Sequence, residues 1–197
     1  MPSQKGQPKG DKRARTRGRL IEAASEVIGE VGFEATSLEA VAQRAGMSRG
    51  AIYGNFHDRD ELFLAVVESR WRPVAPDFSP GAGYAERMRR LGQALIQALP
   101  ARRAAAVGAA SFSLYALTHP DMRGRLVRAN AEAYRQAAEA IIASGEDDLP
   151  MPPDDFVKML HAVIEGLVML ANLTPELVTP ETIRRTFEAL ALIEGAS

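Results

Sequence analysis

Leu20, Ala23, Ala24, Val27, Ile28 and Val31 stand three and four residues apart, which is one face of an amphipathic helix. The same period returns along most of the chain, and no stretch alternates apolar and polar residues as a half-buried strand does. A chain written in this period is expected to fold all-α, with helix stripes buried against one another. Gly32 is predicted to stop the first helix. Thr36 and Glu39 have capping-box spacing at the start of a second, with Leu38, Val41, Ala42 and Ala45 inward and Gly46 at its end. Ser48 is predicted to cap a third, with Ile52 and Phe56 on its inner side, and Asp58 a fourth, striped by Leu62, Phe63, Val66, Val67 and Trp71.

The segment RPVAPDFSPGAG holds three prolines and two glycines and is the best internal boundary. Beyond it Tyr84, Met88, Leu91, Leu95 and Leu99 keep helical spacing until Pro100, which is expected to interrupt the helix. Helices follow around Phe112 to Leu117, from Asp121 to Ile141, from Phe156 to Ala171 and from Ile183 to Ile193, with SGEDDLPMPP as a second loop. The total is about nine helices. The expected organisation is a disordered basic arm at 1–11, a helix-turn-helix domain at 12–57 and a larger helical domain at 58–197.

Charge is uneven. Lys5, Lys9, Lys12, Arg13, Arg15, Arg17 and Arg19 stand against Asp11 alone, a net +6 over residues 1–19 of a chain whose total is −1. A basic arm on an acidic body suits a polyanion, although a solvated tail has the same composition. The chain has no cysteine, so disulfides and thiolate zinc sites are excluded. His57, His119 and His161 lie in separate elements without metal-ligand spacing, and no nucleophile elbow, P-loop or dinucleotide fingerprint is present. Neither enzymatic activity nor a cofactor or metal is expected. No uninterrupted apolar run approaches the roughly 18 residues of a membrane span, and no apolar segment follows the N-terminal charges. A cytoplasmic protein without a membrane partner is the expectation.

The stretch AGMSRGAIYGNF, residues 45–56, reads as the turn and second helix of a helix-turn-helix. Its chemistry fits DNA. Thr36, Ser37 and Ser48 sit at predicted helix starts, where hydroxyls and unpaired N–H groups can meet phosphate. Arg49 can reach a base edge. Gly50 and Ala51 lack bulk and permit close approach, although glycine costs a helix about 1 kcal/mol relative to alanine. Tyr53 follows one turn later, and His57 and Arg59 lie within reach of the same phosphate track. A helical hairpin in a protein–protein scaffold would also show glycine at its turn and serine at its cap, and remains the alternative.

Residues 20–67 resemble the DNA-binding domain of TetR-type (tetracycline-repressor family) transcriptional regulators. The carriers lie in GFEATSLEAVAQRAGMSRGAIYGNFHDRDELF: Thr36, the AGMS turn, the spacing of Gly50, Tyr53 and Phe56, and the opening Asp58-Arg59-Asp60-Glu61-Leu62. Met47 replaces the family's usual valine, Arg59 its frequent lysine, and Gly54-Asn55 is unusual before Phe56. The resemblance implies that the first three helices bind double-stranded DNA, and that the fourth links them to a domain that binds a small effector and dimerises through its last two helices. It implies phosphate contacts from Thr36, Ser37, Ser48, Tyr53, His57 and Arg59, base-facing roles for Arg49, Gly50 and Asn55, and a further DNA contact from the arm through Arg19.

For the effector, Trp71, Phe78, Tyr84, Met88, Phe112, Tyr115, His119, Met122 and Tyr134 are cavity candidates, although any one of them taken singly reads more readily as core. Their aromatic character favours an apolar or aromatic ligand. The helix around Phe156, Leu160, Val163 and Leu167 has more apolar surface than one core face needs, with Met169 and Leu170 off that face. With Leu170, Ile183, Phe187 and Leu190 these residues are the candidates for a homodimer bundle, the alternative being burial within one subunit. The expected function is a homodimeric repressor that leaves a palindromic operator when its effector binds.

Overall fold

A computed structural model describes residues 9–70, 82–143 and 148–193 of the chain, and every regular element among them is a helix. In order they are α1 (Lys9–Ala35), α2 (Leu38–Arg44), α3 (Arg49–Tyr53), α4 (Arg59–Arg70), α5 (Tyr84–Thr118), α6 (Pro120–Ala143), α7 (Pro153–Leu173) and α8 (Pro180–Leu190). Helix α1 already includes Lys9, Gly10 and Asp11, which were expected in the disordered arm; the rest of that arm, residues 1–8, lies outside the described residues. Near its other end α1 breaks at Gly32, whose φ of 77° and ψ of 171° belong to a region open essentially only to glycine.

Pro100 does not interrupt the chain of helical hydrogen bonds as expected; it lies inside the 35-residue α5. A proline there removes one rung and crowds the preceding turn. Helix continues because side chains on both sides of it are committed to cores, Leu91 and Leu95 before it and Phe112, Tyr115 and Ala116 after it.

The chain forms two compact units, one of residues 1–72 with 107–123 and the other of 73–106 with 124–197. The boundary expected between 57 and 58 is therefore displaced: α4 and the end of α5 group with the helix-turn-helix. The reason is aromatic. Phe33 meets Phe63 edge-on at 4.6 Å and Phe112 at 5.2 Å, and Tyr115 closes the cluster against Phe63 at 5.7 Å. Leu20, Ala24, Ile28, Val41, Ile52, Phe56 and Leu62 complete the buried interior of this unit. Arg44 joins α2 to α1 through two hydrogen bonds to Glu30, at 2.9 and 2.7 Å.

The second unit buries Tyr84, Met88, Leu91 and Leu95 of α5 with Phe156 of α7 and Ile183 and Phe187 of α8. Helix α8 is well delimited, with Thr179 and Thr182 forming a capping box and Pro180 at its first turn. Among the described helices, α7 alone is long and apolar enough to suit a membrane span, and few of its residues are buried. An apolar helix that serves a protein interface meets the same criterion.

Gly92 gives this packing a point test. A β-carbon there would lie 2.7 Å from Phe187 Cβ and 2.9 Å from its Cγ, closer than such atoms approach, and Phe187 is fully buried. Gly92→Ala should lower stability by about 1–3 kcal/mol, read as a lower denaturant midpoint, in spite of alanine's better helix propensity.

Candidate nucleic-acid interface

Helices α2 and α3 meet at a tight turn in which Gly46 takes a φ of 64°, the left-handed conformation glycine adopts without strain. Ser37 caps α2, its Oγ accepting from Ala40 N at 3.1 Å, and Ser48 caps α3, its Oγ accepting from Ala51 N at 3.3 Å. Each hydroxyl has its own proton to donate as well. Ile52 points α3 inward and is fully buried. Arg49, Gly50 and Tyr53 lie on the exposed side, with the Arg49 side chain 72% exposed. Helix α3 is five residues long, shorter than the expected run to Phe56.

Glu39 of α2 reaches this exposed side. Arg49 Nη2 donates to its Oε1 at 2.6 Å, and the Tyr53 hydroxyl donates to the same oxygen at 3.3 Å. The Glu39 carboxyl lies below its ordinary pKa, first because its own backbone N–H donates to it and further because of Arg49 and Tyr53, while partial desolvation opposes the shift. His57 is exposed beside α4, with its backbone N–H given to Glu61 at 2.7 Å. Asp58 caps α4 as expected, accepting from Glu61 N at 2.6 Å.

Three expected contacts face the other way. Thr36 is 1% exposed and its Oγ1 donates to Gly32 O at 2.7 Å; it secures the break in α1, and the cap of α2 is Ser37. Arg59 donates to the carbonyls of Glu34 and Thr36 at 3.3 and 3.4 Å and to the Tyr115 hydroxyl at 2.9 Å, its guanidinium lying over Phe63 and Tyr115. It is a strut of the aromatic cluster. Asn55 is half-buried, its Nδ2 donating to Ala51 O at 2.7 Å and its Oδ1 buried without a hydrogen-bond partner among the described residues.

Two arginines of the basic segment prove to be supports. Arg17 donates to Asn55 O at 2.6 Å and Glu61 at 3.2 Å and covers the Phe56 ring at 4.1 Å. Arg19 donates to Ala45 O at 2.9 Å, at the end of α2. Cations on the last carbonyls of a helix are a common way of ending it, and charge counting alone could not separate this role from DNA contact.

The described effector candidates lie in different parts of the fold. Trp71 and Phe78 lie outside the described residues. Phe112, Tyr115 and Met122 are core of the first unit, with His119 stacked on Tyr115 at 3.8 Å, whereas Tyr84 and Met88 are core of the second. Tyr134 lines a cleft of about 410 Å³ within the second unit, which it shares with Val127, Asn130 and Ala131 of α6 and Asp154 and Lys158 of α7. Asn130 Oδ1 is buried there without a partner among the described residues. The Tyr134 hydroxyl hydrogen-bonds His161 Nδ1, and burial lowers the His161 pKa, with Glu165 opposing, which favours the neutral ring as acceptor.

The dimer candidates divide in the same way. Phe156, Ile183 and Phe187 are buried in the core of their own unit, and Leu160, Leu167 and Leu190 pack partly buried against it; Val163 is half-buried. Leu170 is exposed. It belongs to a different apolar stripe that includes Met169 and Leu173 of α7 and Leu177 beyond it, 56%, 65% and 74% exposed. The sequence signal for this stripe was the apolar pair Met169-Leu170 standing off the main face.

Comparison with known proteins agrees with this architecture. Residues 20–66 match the family described as "Bacterial regulatory proteins, tetR family", and residues 84–192 match "BetI-type transcriptional repressor, C-terminal". The HTH-type transcriptional regulator SrpR of Pseudomonas putida is 41% identical over 68 residues, which are 34% of this chain and 32% of that one. The chain thus matches about a third of that relative's length. The HTH-type transcriptional repressor AcnR of Corynebacterium glutamicum is 26% identical over 94% of both chains. A crystal structure of a TetR-family regulator from Rhodococcus sp. superposes with a TM-score of 0.74 at 23% identity, covering 92% of this chain and all of that one. With its helix-turn-helix and its helical C-terminal region both matched, the chain belongs to the TetR family of bacterial regulatory proteins.

Proposed function

We propose that this chain is a sequence-specific DNA-binding transcriptional repressor that works in the cytoplasm as a homodimer and leaves a palindromic operator when a small effector binds. The observation that carries the DNA half is the outer face of α3. Arg49, Gly50 and Tyr53 are exposed together, and the fold itself does not require glycine at 50: a β-carbon there would meet only Ser48 Oγ, at an ordinary 3.8 Å. A glycine tolerated in an exposed helix at about 1 kcal/mol of propensity makes sense where another surface must come close. Arg49 supplies the donor fork for a guanine edge, while Ser37, Ser48, Tyr53 and His57 stand at positions suited to phosphate.

The dimer half rests on the stripe of Met169, Leu170, Leu173 and Leu177. Exposed apolar residues that follow the end of α7 into the turn after it suit a second copy, and a two-fold dimer places two α3 helices about 34 Å apart on successive turns of one DNA face. The effector reading rests on the cleft at Tyr134: Val127, Ala131 and the Tyr134 ring suit an apolar body, and Asn130 Oδ1 suits one hydrogen-bond donor on it.

Selection of sites from a random DNA pool tests the whole reading. An enriched palindrome supports it; no retention of DNA at low salt moves the protein-scaffold alternative to first place. On the enriched site Arg49→Ala should reduce discrimination against a mismatched site roughly 5- to 150-fold, the range of one bidentate base contact. Leu173→Glu should turn the dimer to monomer in sedimentation at unchanged helix content. Once a releasing ligand is found, Tyr134→Ala should raise the concentration needed for release while operator affinity of the free protein stays the same; equal potency would remove the cleft from the effector role.

A further inference from the structure

Arg49 and Tyr53 share one anchor in the free protein. Both donate to Oε1 of Glu39, from the next helix, at 2.6 and 3.3 Å. The arrangement contributes little to stability, because exposed ion pairs in water are weak. Nor does either helix depend on it for a start, since Ser37 and Ser48 provide the caps. A carboxylate on the face proposed to meet DNA is also unfavourable toward phosphate. Its geometry nevertheless does something specific. Arg49 has five N–H donors in a rigid plane, and the hydrogen bond through Nη2 biases the orientation of the rest of the fork.

We propose that Glu39 is a positioning residue for sequence discrimination: it holds the Arg49 guanidinium toward a base edge and keeps it from acting as a free phosphate ligand. The inference rests on the DNA-binding reading of α3 and goes beyond it, because it assigns selectivity to an acidic side chain that needs no contact with DNA. An unheld arginine binds whichever phosphate is near and adds affinity for every sequence alike. A held arginine gains only where two acceptors, such as guanine O6 and N7, lie in its plane. Tyr53, bound to the same oxygen, is restrained along with it.

The test uses the full chain with two DNA probes, the duplex enriched by selection and a scrambled duplex of the same length and composition. Glu39→Gln should bind the scrambled duplex more tightly, steepen its log K against log salt slope by about 0.9, the increment for one further phosphate, and lower the enriched-to-scrambled affinity ratio several-fold. Glu39→Asp keeps the charge and shortens the reach, and should lower the ratio as well. In an Arg49→Ala background neither substitution should change the ratio. The inference is overturned if Glu39→Gln shifts both duplexes by one factor, if Glu39→Asp keeps full discrimination, or if the loss is as large without Arg49. Failure of the DNA reading itself looks different: the unsubstituted chain would then hold neither duplex, and the inference would fall with it.

Discussion

The break at Gly32 is the constraint on which the first unit depends. Its glycine-only backbone ends the long run of α1 and delivers Phe33 into contact with Phe63 and Phe112, with Tyr115 stacked beyond. Aromatic pairs of this kind contribute about 0.5–1.5 kcal/mol each beyond the area they bury. The surrounding polar groups serve the break. Thr36 returns a hydrogen bond to Gly32 O, and Arg59 spans the Glu34 and Thr36 carbonyls and the Tyr115 hydroxyl, while Tyr115 donates to Asp60 at 3.1 Å. Two of the residues that carry the family resemblance, Thr36 and Arg59, are thus architectural here. They brace the break after α1 against the aromatic cluster, and so the platform from which α3 projects.

Arginine does several different jobs in this unit, and sequence position does not distinguish them. Arg17 and Arg19 close the ends of α3 and α2, Arg44 ties α2 to α1, and Arg49 stands outward. The net positive charge of the first residues is real, yet part of it is spent on carbonyl groups within the protein. Lys12 and Arg13 remain exposed on α1. Only tertiary placement shows which cations face solvent.

Helical periodicity made most of the fold legible, because spacing reports which face is buried. It does not report depth or partner. The apolar face of α7 was correctly read from Phe156 onward, but that face belongs to its own unit's core, and the exposed stripe lies around the helix at Met169 and Leu173. Pro100 was read as an interruption because propensity is local, whereas the helix is held by packing at both ends. Thr36 looked like a cap because a threonine hydroxyl before a helix can accept from its first turn; here it donates backward to Gly32, and its neighbour Ser37 does the capping. In the candidate site, Ser37, Ser48, Arg49, Gly50, Tyr53 and His57 are exposed as read. Glu39 reads in the sequence only as the capping-box partner of Thr36, because spacing along one helix does not show that its carboxylate reaches Arg49 and Tyr53 of the next. The aromatic residues of the second half could not be sorted between core and cleft without coordinates, since both environments select the same side chains.

Gly50 sets stability and purpose against each other. Nothing around it excludes a methyl group, and an alanine there would strengthen a helix only five residues long. A population of variants sorted solely for resistance to heat would therefore drift away from glycine at this position, and would do so without disturbing any neighbour in the fold. The proposed function gives this glycine its reason on the outer surface of the molecule, as clearance for something that is not part of the chain.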